Sequence, residues 1–178
     1  MPGMWVSLLK EAQETDMPRV FVGIGSNIDR ERSVRAGVGN LRRQYCEVQF
    51  SSVYESDAVG FEGDAFYNLV VAFDTDDGIE QVVASLAHIE DQNGRVRSGE
   101  RFAARTLDLD LLLYGDEIIV TENYHVPRDE ILRYAFVLWP LAEMVPDDIH
   151  PEVGESYAIL WEKFDKRNQL LRPIPFKW

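Results

Sequence analysis

The chain has 178 residues, of which 46% are hydrophobic, and this is enough for one compact domain with a substantial core. Its formal net charge of −13 excludes a broad electrostatic surface for nucleic acid or anionic lipid, because both partners require basic protein surface. No apolar run reaches the roughly 18 residues of a transmembrane helix. Cys46 is the only cysteine, which excludes an intrachain disulfide and a thiolate zinc cluster. These features predict a soluble, cytoplasmic protein that binds small molecules.

The first half of the chain predicts strands around one helix. Residues 1–18 are interpreted as an N-terminal extension and residues 19–178 as a single domain. Val20–Ile24 predicts a buried strand, and Gly25-Ser-Asn27 predicts a turn that leads to a helix cap. The following helix carries apolar residues at helical spacing, namely Val34, Val38, Leu41 and Tyr45. Residues 48–56 predict a second strand, and Tyr67–Phe73 predicts a third.

The second half predicts another helix, more strands and a C-terminal addition. The second helix begins after Asp76-Asp77-Gly78 and ends at Asn93-Gly94, with an apolar stripe of Ile79, Val82, Val83, Leu86 and Ile89. Further predicted elements are a strand at Thr106–Tyr114, a short strand at Ile118–Val120, helical segments within Asp129–Glu143 and a Pro-interrupted tail from Arg172. The order β-α-β-β-α-β predicts an α+β, ferredoxin-like sandwich with additional C-terminal helices and short strands.

Two aspartates alternate with leucines in the predicted fourth strand. Because side chains two apart on a strand share a face, Asp108 and Asp110 are expected to point the same way. The leucines expected on the opposite face are Leu107, Leu109, Leu111 and Leu113. Aspartate is unfavourable inside a strand, and two adjacent carboxylates repel each other unless a cation offsets their charge. The pattern therefore predicts a cation site, and carboxylate oxygens favour magnesium.

Four arginines precede this strand within eleven positions of an otherwise acidic chain. They are Arg95, Arg97, Arg101 and Arg105. Alone, such a run is more typical of a solvated loop, here neutralised by Glu100 and Asp91. Beside an Asp-x-Asp strand it favours a nucleotide triphosphate, held by metal on one side and by guanidinium groups on the other.

The remaining motifs predict less chemistry. Gly23-Ile-Gly25-Ser-Asn27 lacks the lysine and the spacing of a P-loop, so a structural turn is favoured over a phosphate nest. His88, His125 and His150 show no paired metal-ligand spacing, and the sequence therefore predicts no zinc site.

Motifs spread over most of the chain match one known family. They are Gly25-Ser-Asn27, Tyr54, Asn68, Glu90, Gly94-Arg-Val-Arg97, Glu100-Arg101, Arg105-Thr-Leu-Asp-Leu-Asp110, Val126-Pro127 and Phe136-Val-Leu-Trp-Pro-Leu141. On these residues the chain resembles the 6-hydroxymethyl-7,8-dihydropterin pyrophosphokinases of the folate pathway. The likeness extends from Val20 to about Asn168, and the segment Arg101–Leu112 matches the family's diagnostic pattern position by position.

The resemblance implies an ATP-dependent transfer of pyrophosphate to the pterin hydroxymethyl oxygen, with release of AMP. It assigns two magnesium ions to Asp108 and Asp110, which would be catalytic together with Arg95 and Arg105. The residues it assigns to ATP are Glu90, Arg97, Arg101, Arg105, Leu111 and Arg128. Those it assigns to the pterin are Ser56, Val59, Phe66, Asn68, Asp108 and Phe136, with the two phenylalanine rings enclosing the flat heterocycle. A monomer or weak homodimer is expected, without nucleic-acid or membrane partners.

The chain departs from the family pattern mainly on the nucleotide side. The departures are Ala87 for Gln, Phe102 for Trp, Ala103-Ala104 for Gly-Pro, Arg128 for His, Tyr134 for Arg, Phe66 for Tyr, and an altered substrate loop at Ser56–Gly60. We hypothesise that Arg128 partly replaces the positive charge lost with the His and the Arg.

Three other functions remain compatible with these residues. The altered loop at Ser56–Gly60 would suit a divergent paralogue that uses another hydroxymethyl heterocycle. The changes at Arg128 and Tyr134 would suit a non-catalytic relative that binds nucleotide or pterin. A ferredoxin-like interaction domain is the alternative without a small-molecule site.

Overall fold

The computed structural model describes residues 17–58, 63–94 and 106–178. Its elements are β1 (Arg19–Ser26), α1 (Arg30–Gln44), β2 (Gln49–Phe50), β3 (Val53–Ser56), β4 (Phe66–Asp74), α2 (Ile79–Gln92), β5 (Asp108–Tyr114), β6 (Ile119–Val120), β7 (His125–Val126), α3 (Glu130–Arg133), α4 (Ala135–Met144), α5 (Tyr157–Lys163) and β8 (Leu171–Ile174). The α+β class and the order of the first elements agree with the prediction. Within the described ranges, every helix is too short or too polar to cross a membrane.

The main sheet has the strand order β5-β1-β4-β3-β8, and neighbouring strands in this order pair antiparallel. β2 also pairs with β4. The first four strands in this order reproduce the predicted ferredoxin-like arrangement, in which each helix connects strands separated by one intervening strand. As a result β1 lies between β4 and β5, and residues far apart in the chain become neighbours at its two edges.

The two long helices cover one face of this sheet. The buried residues of this layer include Val20, Val22 and Ile24 from β1, Val34, Val38 and Leu41 from α1, and Val82, Leu86 and Ile89 from α2. The helical spacing in the sequence predicted the buried faces of both helices, and the structure confirms them. Burial of the two stripes stabilises this half of the core through the hydrophobic effect.

Helix α4 covers part of the opposite face. Its buried residues pack against Phe21, Val70, Ala72, Leu112 and Leu113 of the sheet. The carboxylate of Glu143 on α4 accepts hydrogen bonds from the Ser52 backbone N–H at 2.9 Å and from the Tyr54 hydroxyl. Burial, followed by the hydrogen bond to Glu143 and its charge, raises the pKa of Tyr54. These contacts fix α4 against one half of the face and leave the other half uncovered by this helix.

One part of the predicted face alternation is wrong. Leu107, Leu109 and Leu111 lie in the core beneath the long helices, as expected, but Leu113 lies in the core beneath α4. The register between β1 and β5 shifts after Val22, so that Phe21 pairs with Leu113 while Val22 pairs with Leu111. The resulting bulge adds one residue to β5 and reverses the face of those that follow.

Several element boundaries also differ from the prediction. Gly25 and Ser26 belong to β1 and not to a turn, and α1 begins only at Arg30. The predicted strand at residues 48–56 is divided into β2 and β3. The Pro-interrupted tail contains β8, which pairs with β3 at the sheet edge, and α5 precedes it. The sequence predicted additional C-terminal helices and short strands but not the bounds of these two elements. Most of the proposed N-terminal extension, residues 1–16, lies outside the described residues.

Candidate active site

The two aspartates lie at the beginning of β5, on the sheet face away from α1 and α2. Asp108 and Asp110 are half-buried and alternate with the buried leucines of the core. The Asp110 side chain is 38% exposed, so solvent ions and ligands can approach its carboxylate. Both aspartates already make contacts within the protein. This placement agrees with the shared face that strand periodicity predicted.

Glycines of β1 lie directly beside these aspartates. Gly25 pairs with Asp108 on one side and with Asn68 on the other, and Gly23 pairs in the same way with Asp110 and Val70. Paired residues on adjacent strands project to the same face, so a glycine leaves a gap between its two neighbours. The carboxylates of β5 and the amide of β4 therefore stand two strand spacings apart, roughly 9–10 Å, on either side of the two glycines, which form a floor without side chains.

Neither backbone conformation nor crowding by the described residues requires glycine at position 25. The positive-φ glycines among the described residues are Gly94, Gly115 and Gly154. A Cβ added at Gly25 would lie 3.6 Å from Asn68 Oδ1 and 3.9 Å from Phe66 Cδ1, directly between the two sides of the floor. Glycine inside a strand often marks the close approach of a ligand. The pattern Gly23-Ile-Gly25 was a sequence signal for this floor, which the interpretation as a turn missed.

The side chain of Asn68 is held in one orientation by a buried contact. Its Nδ2 donates to Ser56 Oγ at 2.9 Å, and both residues are buried. The direction of the amide follows from this hydrogen-bond network. Asn68 Oδ1 consequently faces the floor at Gly25, where it would accept a hydrogen bond from an N–H group of a ligand. Ser56, which the family resemblance assigned to the pterin, accepts this hydrogen bond and so orients the Asn68 amide.

The two phenylalanines expected around the pterin lie on different elements. Phe66 begins β4 and is half-buried, while Phe136 lies in the first turn of α4. The ring of Phe136 stacks on Tyr134, with centroids 5.1 Å apart and an interplanar angle of 14°. Tyr134, one of the departures from the family pattern, thus supports an aromatic ring. Enclosure of a pterin between Phe66 and Phe136 stays a prediction.

Glu90 and Leu111, both assigned to ATP by resemblance, are buried. A carboxylate oxygen of Glu90 on α2 accepts a 2.7 Å hydrogen bond from the Leu109 backbone N–H, between the two aspartates. Glu90 is 5% exposed and makes further contacts in the protein. The side chain of Leu111 is also 5% exposed and belongs to the helix-covered core. Glu90 is therefore placed to position the aspartate strand.

Arg128 reaches the same end of β5 from the segment after the cis Val126–Pro127 peptide bond. Its backbone N–H donates to the Leu112 carbonyl at 2.9 Å. Its guanidinium lies 3.1 Å from Asp110 Oδ1 and 3.2 Å from Glu130 Oε2. The structure therefore brings together Arg128 and Asp110, as well as Glu130, which the sequence interpretation did not include.

Some predicted site residues lie outside the described residues. They are Arg95, Arg97, Arg101, Arg105 and Val59, with Phe102. Their assignment to phosphate or pterin stays a prediction. The described residue Thr106, immediately after this segment, accepts a hydrogen bond at its carbonyl from Ser26 Oγ at the end of β1. This hydrogen bond joins the residue just before β5 to β1, the strand that carries Gly23 and Gly25.

The chain is similar to known proteins in both sequence and structure. The model of the family described as 7,8-dihydro-6-hydroxymethylpterin-pyrophosphokinase (HPPK) matches residues 21–146. A Bacillus subtilis 2-amino-4-hydroxy-6-hydroxymethyldihydropteridine pyrophosphokinase is 40% identical over 129 residues, which cover 70% of this chain and 76% of the relative. The Aquifex aeolicus protein of the same name is 33% identical over 138 residues, with 76% and 85% covered.

Two longer proteins also contain a region similar to this chain. The Pneumocystis carinii folic acid synthesis protein fol1 is 32% identical over 158 residues, which cover 87% of this chain and 21% of that protein. A solved structure of Plasmodium falciparum HPPK-DHPS matches with a TM-score of 0.66 and 12% identity, covering 85% of this chain and 46% of that chain. The chain thus spans less than half the length of these two proteins, and the structural match supports the fold.

Proposed function

Because the chain belongs to the 7,8-dihydro-6-hydroxymethylpterin-pyrophosphokinase family, we propose that it transfers pyrophosphate from ATP to 6-hydroxymethyl-7,8-dihydropterin in folate biosynthesis. The products are the pterin diphosphate and AMP. One geometric observation carries the proposal. Asp108 stands opposite Asn68 across the side-chain-free position of Gly25. A carboxylate that would bind metal and an amide that would hydrogen-bond to the pterin therefore share one face of the sheet.

The donor set supports magnesium at Asp108 and Asp110. Magnesium is commonly held by one or two carboxylates, while substrate phosphates and water complete its octahedral shell. In the described residues, no group of three His, Cys, Asp or Glu side chains is suited to hold a metal ion by itself. A site of two aspartates that needs the nucleotide to complete it fits both facts. When bound, magnesium would neutralise the phosphate charge and make the acceptor hydroxyl more acidic.

The protein's own residues would supply mainly position and charge. Phosphoryl-type transfer requires the attacking and leaving oxygens to be held in line, with little covalent participation of side chains. Asn68 Oδ1 would hold an N–H edge of the pterin, and Ser56 would keep the amide turned toward it. The predicted phosphate contacts are Arg95, Arg97, Arg101, Arg105 and Arg128. Glu90 would hold β5, and with it both aspartates, through the Leu109 N–H.

A direct assay tests this function. The protein is incubated with ATP, magnesium and 6-hydroxymethyl-7,8-dihydropterin, and AMP and pterin diphosphate are quantified together. We expect equal amounts of the two products and no AMP without the pterin. Tight binding of both ligands without AMP would identify the non-catalytic relative. AMP formed only with another hydroxymethyl heterocycle would identify the divergent paralogue.

The assembly and cellular location are separate proposals. We expect a monomer or weak homodimer in the cytoplasm, with ATP and a pterin as its small-molecule partners. Sedimentation velocity over a range of protein concentrations measures the assembly state. A stable tetramer would contradict this expectation without affecting the proposed reaction.

A further inference from the structure

The guanidinium of Arg128 lies between two carboxylates at the edge of the candidate site. One of its terminal nitrogens is 3.1 Å from Asp110 Oδ1, and its Nε is 3.2 Å from Glu130 Oε2. The three side chains are each about one-third exposed, at 33%, 38% and 31% for Arg128, Asp110 and Glu130. Partial burial reduces solvent screening, so these ion pairs are stronger than those of fully exposed side chains.

A guanidinium in this position competes with a metal ion for Asp110. Magnesium binds carboxylate oxygen at about 2.0–2.1 Å, and a guanidinium nitrogen 3.1 Å from the same oxygen would then lie within a few ångströms of a divalent cation. Like charges at that separation repel strongly in a partly buried site. Arg128 must therefore weaken its contact with Asp110 when a metal binds there, or the metal must bind less tightly.

Arg128 has an alternative partner that allows it to turn away from Asp110. Its backbone stays attached to β5 through the hydrogen bond to the Leu112 carbonyl, which does not depend on the side chain. The Glu130 carboxylate lies 3.2 Å from Nε, at ion-pair distance but without a hydrogen bond to it, so a negative charge stays beside the guanidinium when the terminal nitrogens reorient. An arriving phosphate would offer these nitrogens an anionic partner and would also complete the metal shell.

We propose that Arg128 forms an ion pair with Asp110 before the nucleotide binds, and that this pairing couples metal binding to nucleotide binding. Without nucleotide, the guanidinium neutralises Asp110 and keeps the affinity for a divalent cation low. When the nucleotide binds, its phosphates pair with Arg128. Asp110 is then available to bind the metal. This inference rests on the proposed function, because it takes Asp110 as a metal ligand.

Metal titration of the full chain without nucleotide tests the proposal. Free Mn²⁺ is measured by electron paramagnetic resonance for the wild type, Arg128→Gln and Arg128→Lys. We expect about tenfold tighter Mn²⁺ binding by Arg128→Gln, since a competing cation is removed. Arg128→Lys should stay near the wild type because it keeps the charge. Unchanged or weaker binding by Arg128→Gln would overturn the inference.

Arg133→Gln is the matched control. Arg133 carries the same charge on the neighbouring helix α3, but its partner is Asp129, at 3.3 Å, and its side chain is 62% exposed. Loss of this charge should change Mn²⁺ affinity less than twofold, because an exposed charge is screened. A tenfold gain here as well would mean that general charge reduction, and not the Asp110 contact, controls the affinity. Thermal unfolding verifies that each variant is folded.

A second titration separates this inference from the metal assignment. In the presence of α,β-methylene-ATP, which is not cleaved, Arg128→Gln should lose most of the gain in Mn²⁺ affinity that nucleotide gives to the wild type. Asp110→Asn should bind Mn²⁺ at least tenfold more weakly than the wild type under the same conditions. If Asp110→Asn kept the full Mn²⁺ affinity of the wild type, the assignment of Asp110 as a metal ligand would be wrong. If Asp110→Asn lost Mn²⁺ affinity and Arg128→Gln changed nothing, the metal assignment would stand and only the proposed coupling would be wrong.

Discussion

On the sheet face away from α1 and α2, helix α4 packs against one half and does not reach the other. In the half beneath α4, large apolar side chains such as Val70 and Leu112 meet the helix. In the other half, the same strands present Asp108, Asp110 and Asn68 around the open position of Gly25. Strands β1, β4 and β5 contribute to both halves, so the difference arises from what lies above them.

Helix α4 marks the boundary between the halves. Glu143 ties the helix to β3, and Phe136 in its first turn lies next to the packed residues, stacked on Tyr134. The bulge in β5 also assigns residues to halves, since Leu112 and Leu113 both join the α4 core while Asp110 remains in the open half. Side chains beneath α4 therefore stabilise the core, whereas the polar side chains beyond it can contact a ligand.

The largest expected effect is on turnover, in the open half. Asp108→Asn should lower kcat at least about 10³-fold, because a neutral amide binds magnesium poorly and several kcal/mol of charge stabilisation are lost. Thermal unfolding verifies that the variant is folded. Asp116→Asn, in the exposed turn after β5, is the control and should keep wild-type activity. The AMP assay measures both, and comparable activity of the two variants would contradict the assignment of Asp108.

The converse effect is expected in the covered half. Leu141 on α4 is fully buried, and Leu141→Ala should lower the free energy of unfolding by about 2–5 kcal/mol through loss of contacts and creation of a cavity. Urea denaturation measures this change. Well below the melting temperature, kcat should remain within about twofold of the wild type. A large loss of kcat in the folded variant would mean that the two halves are not separable.

A smaller effect is expected from filling the floor. Gly25→Ala places a methyl group 3.6 Å from Asn68 Oδ1, an ordinary contact that the fold can accept. The methyl group should nevertheless exclude part of a flat ring and raise KM for the pterin about tenfold, which corresponds to roughly 1.4 kcal/mol of binding. Gly39→Ala is the control, because an added Cβ there meets nothing within 4 Å. An unchanged pterin KM for Gly25→Ala would place the substrate elsewhere.

The smallest effect is a pH dependence of stability from the covered half. Burial lowers the pKa of His150, which is 1% exposed beside Tyr157. Below the usual histidine pKa of about 6.5, the unfolded chain therefore binds more protons at this residue than the folded protein does. Its contribution to the free energy of unfolding is complete above that pH and decreases as the pH falls.

His150→Asn isolates this contribution. Asparagine does not titrate, yet its side-chain oxygen could accept from the Glu152 and Val153 backbone N–H groups that now face His150 Nδ1. Urea denaturation at pH 7 and pH 5 should show a smaller loss of stability for the variant than for the wild type. Equal losses would assign the pH dependence to other groups.

Much of the fold was predictable because its signals are local. The helical spacing of Val34, Val38 and Leu41 identified the buried face of α1, and alternation identified the shared face of Asp108 and Asp110. The wrong or missing assignments occurred where contacts between distant segments determine the structure. Leu113 changes face because β1 and β5 shift register, and β8 forms because β3 offers an open edge to a segment that contains Pro173. Neither interaction leaves a signal in a window of neighbouring residues.

The sequence by itself determined the family, the α+β class and the residue types of the candidate site, since periodicity and motif spacing are properties of the chain. Only the tertiary structure decided which of these residues meet. Strand pairing places Asp108 opposite Asn68 across Gly25. A hydrogen bond to Ser56 orients the Asn68 amide, and an ion pair joins Arg128 to Asp110. The physical reason is that strand pairing and side-chain contacts join residues far apart in the chain, and their geometry depends on the whole packed fold.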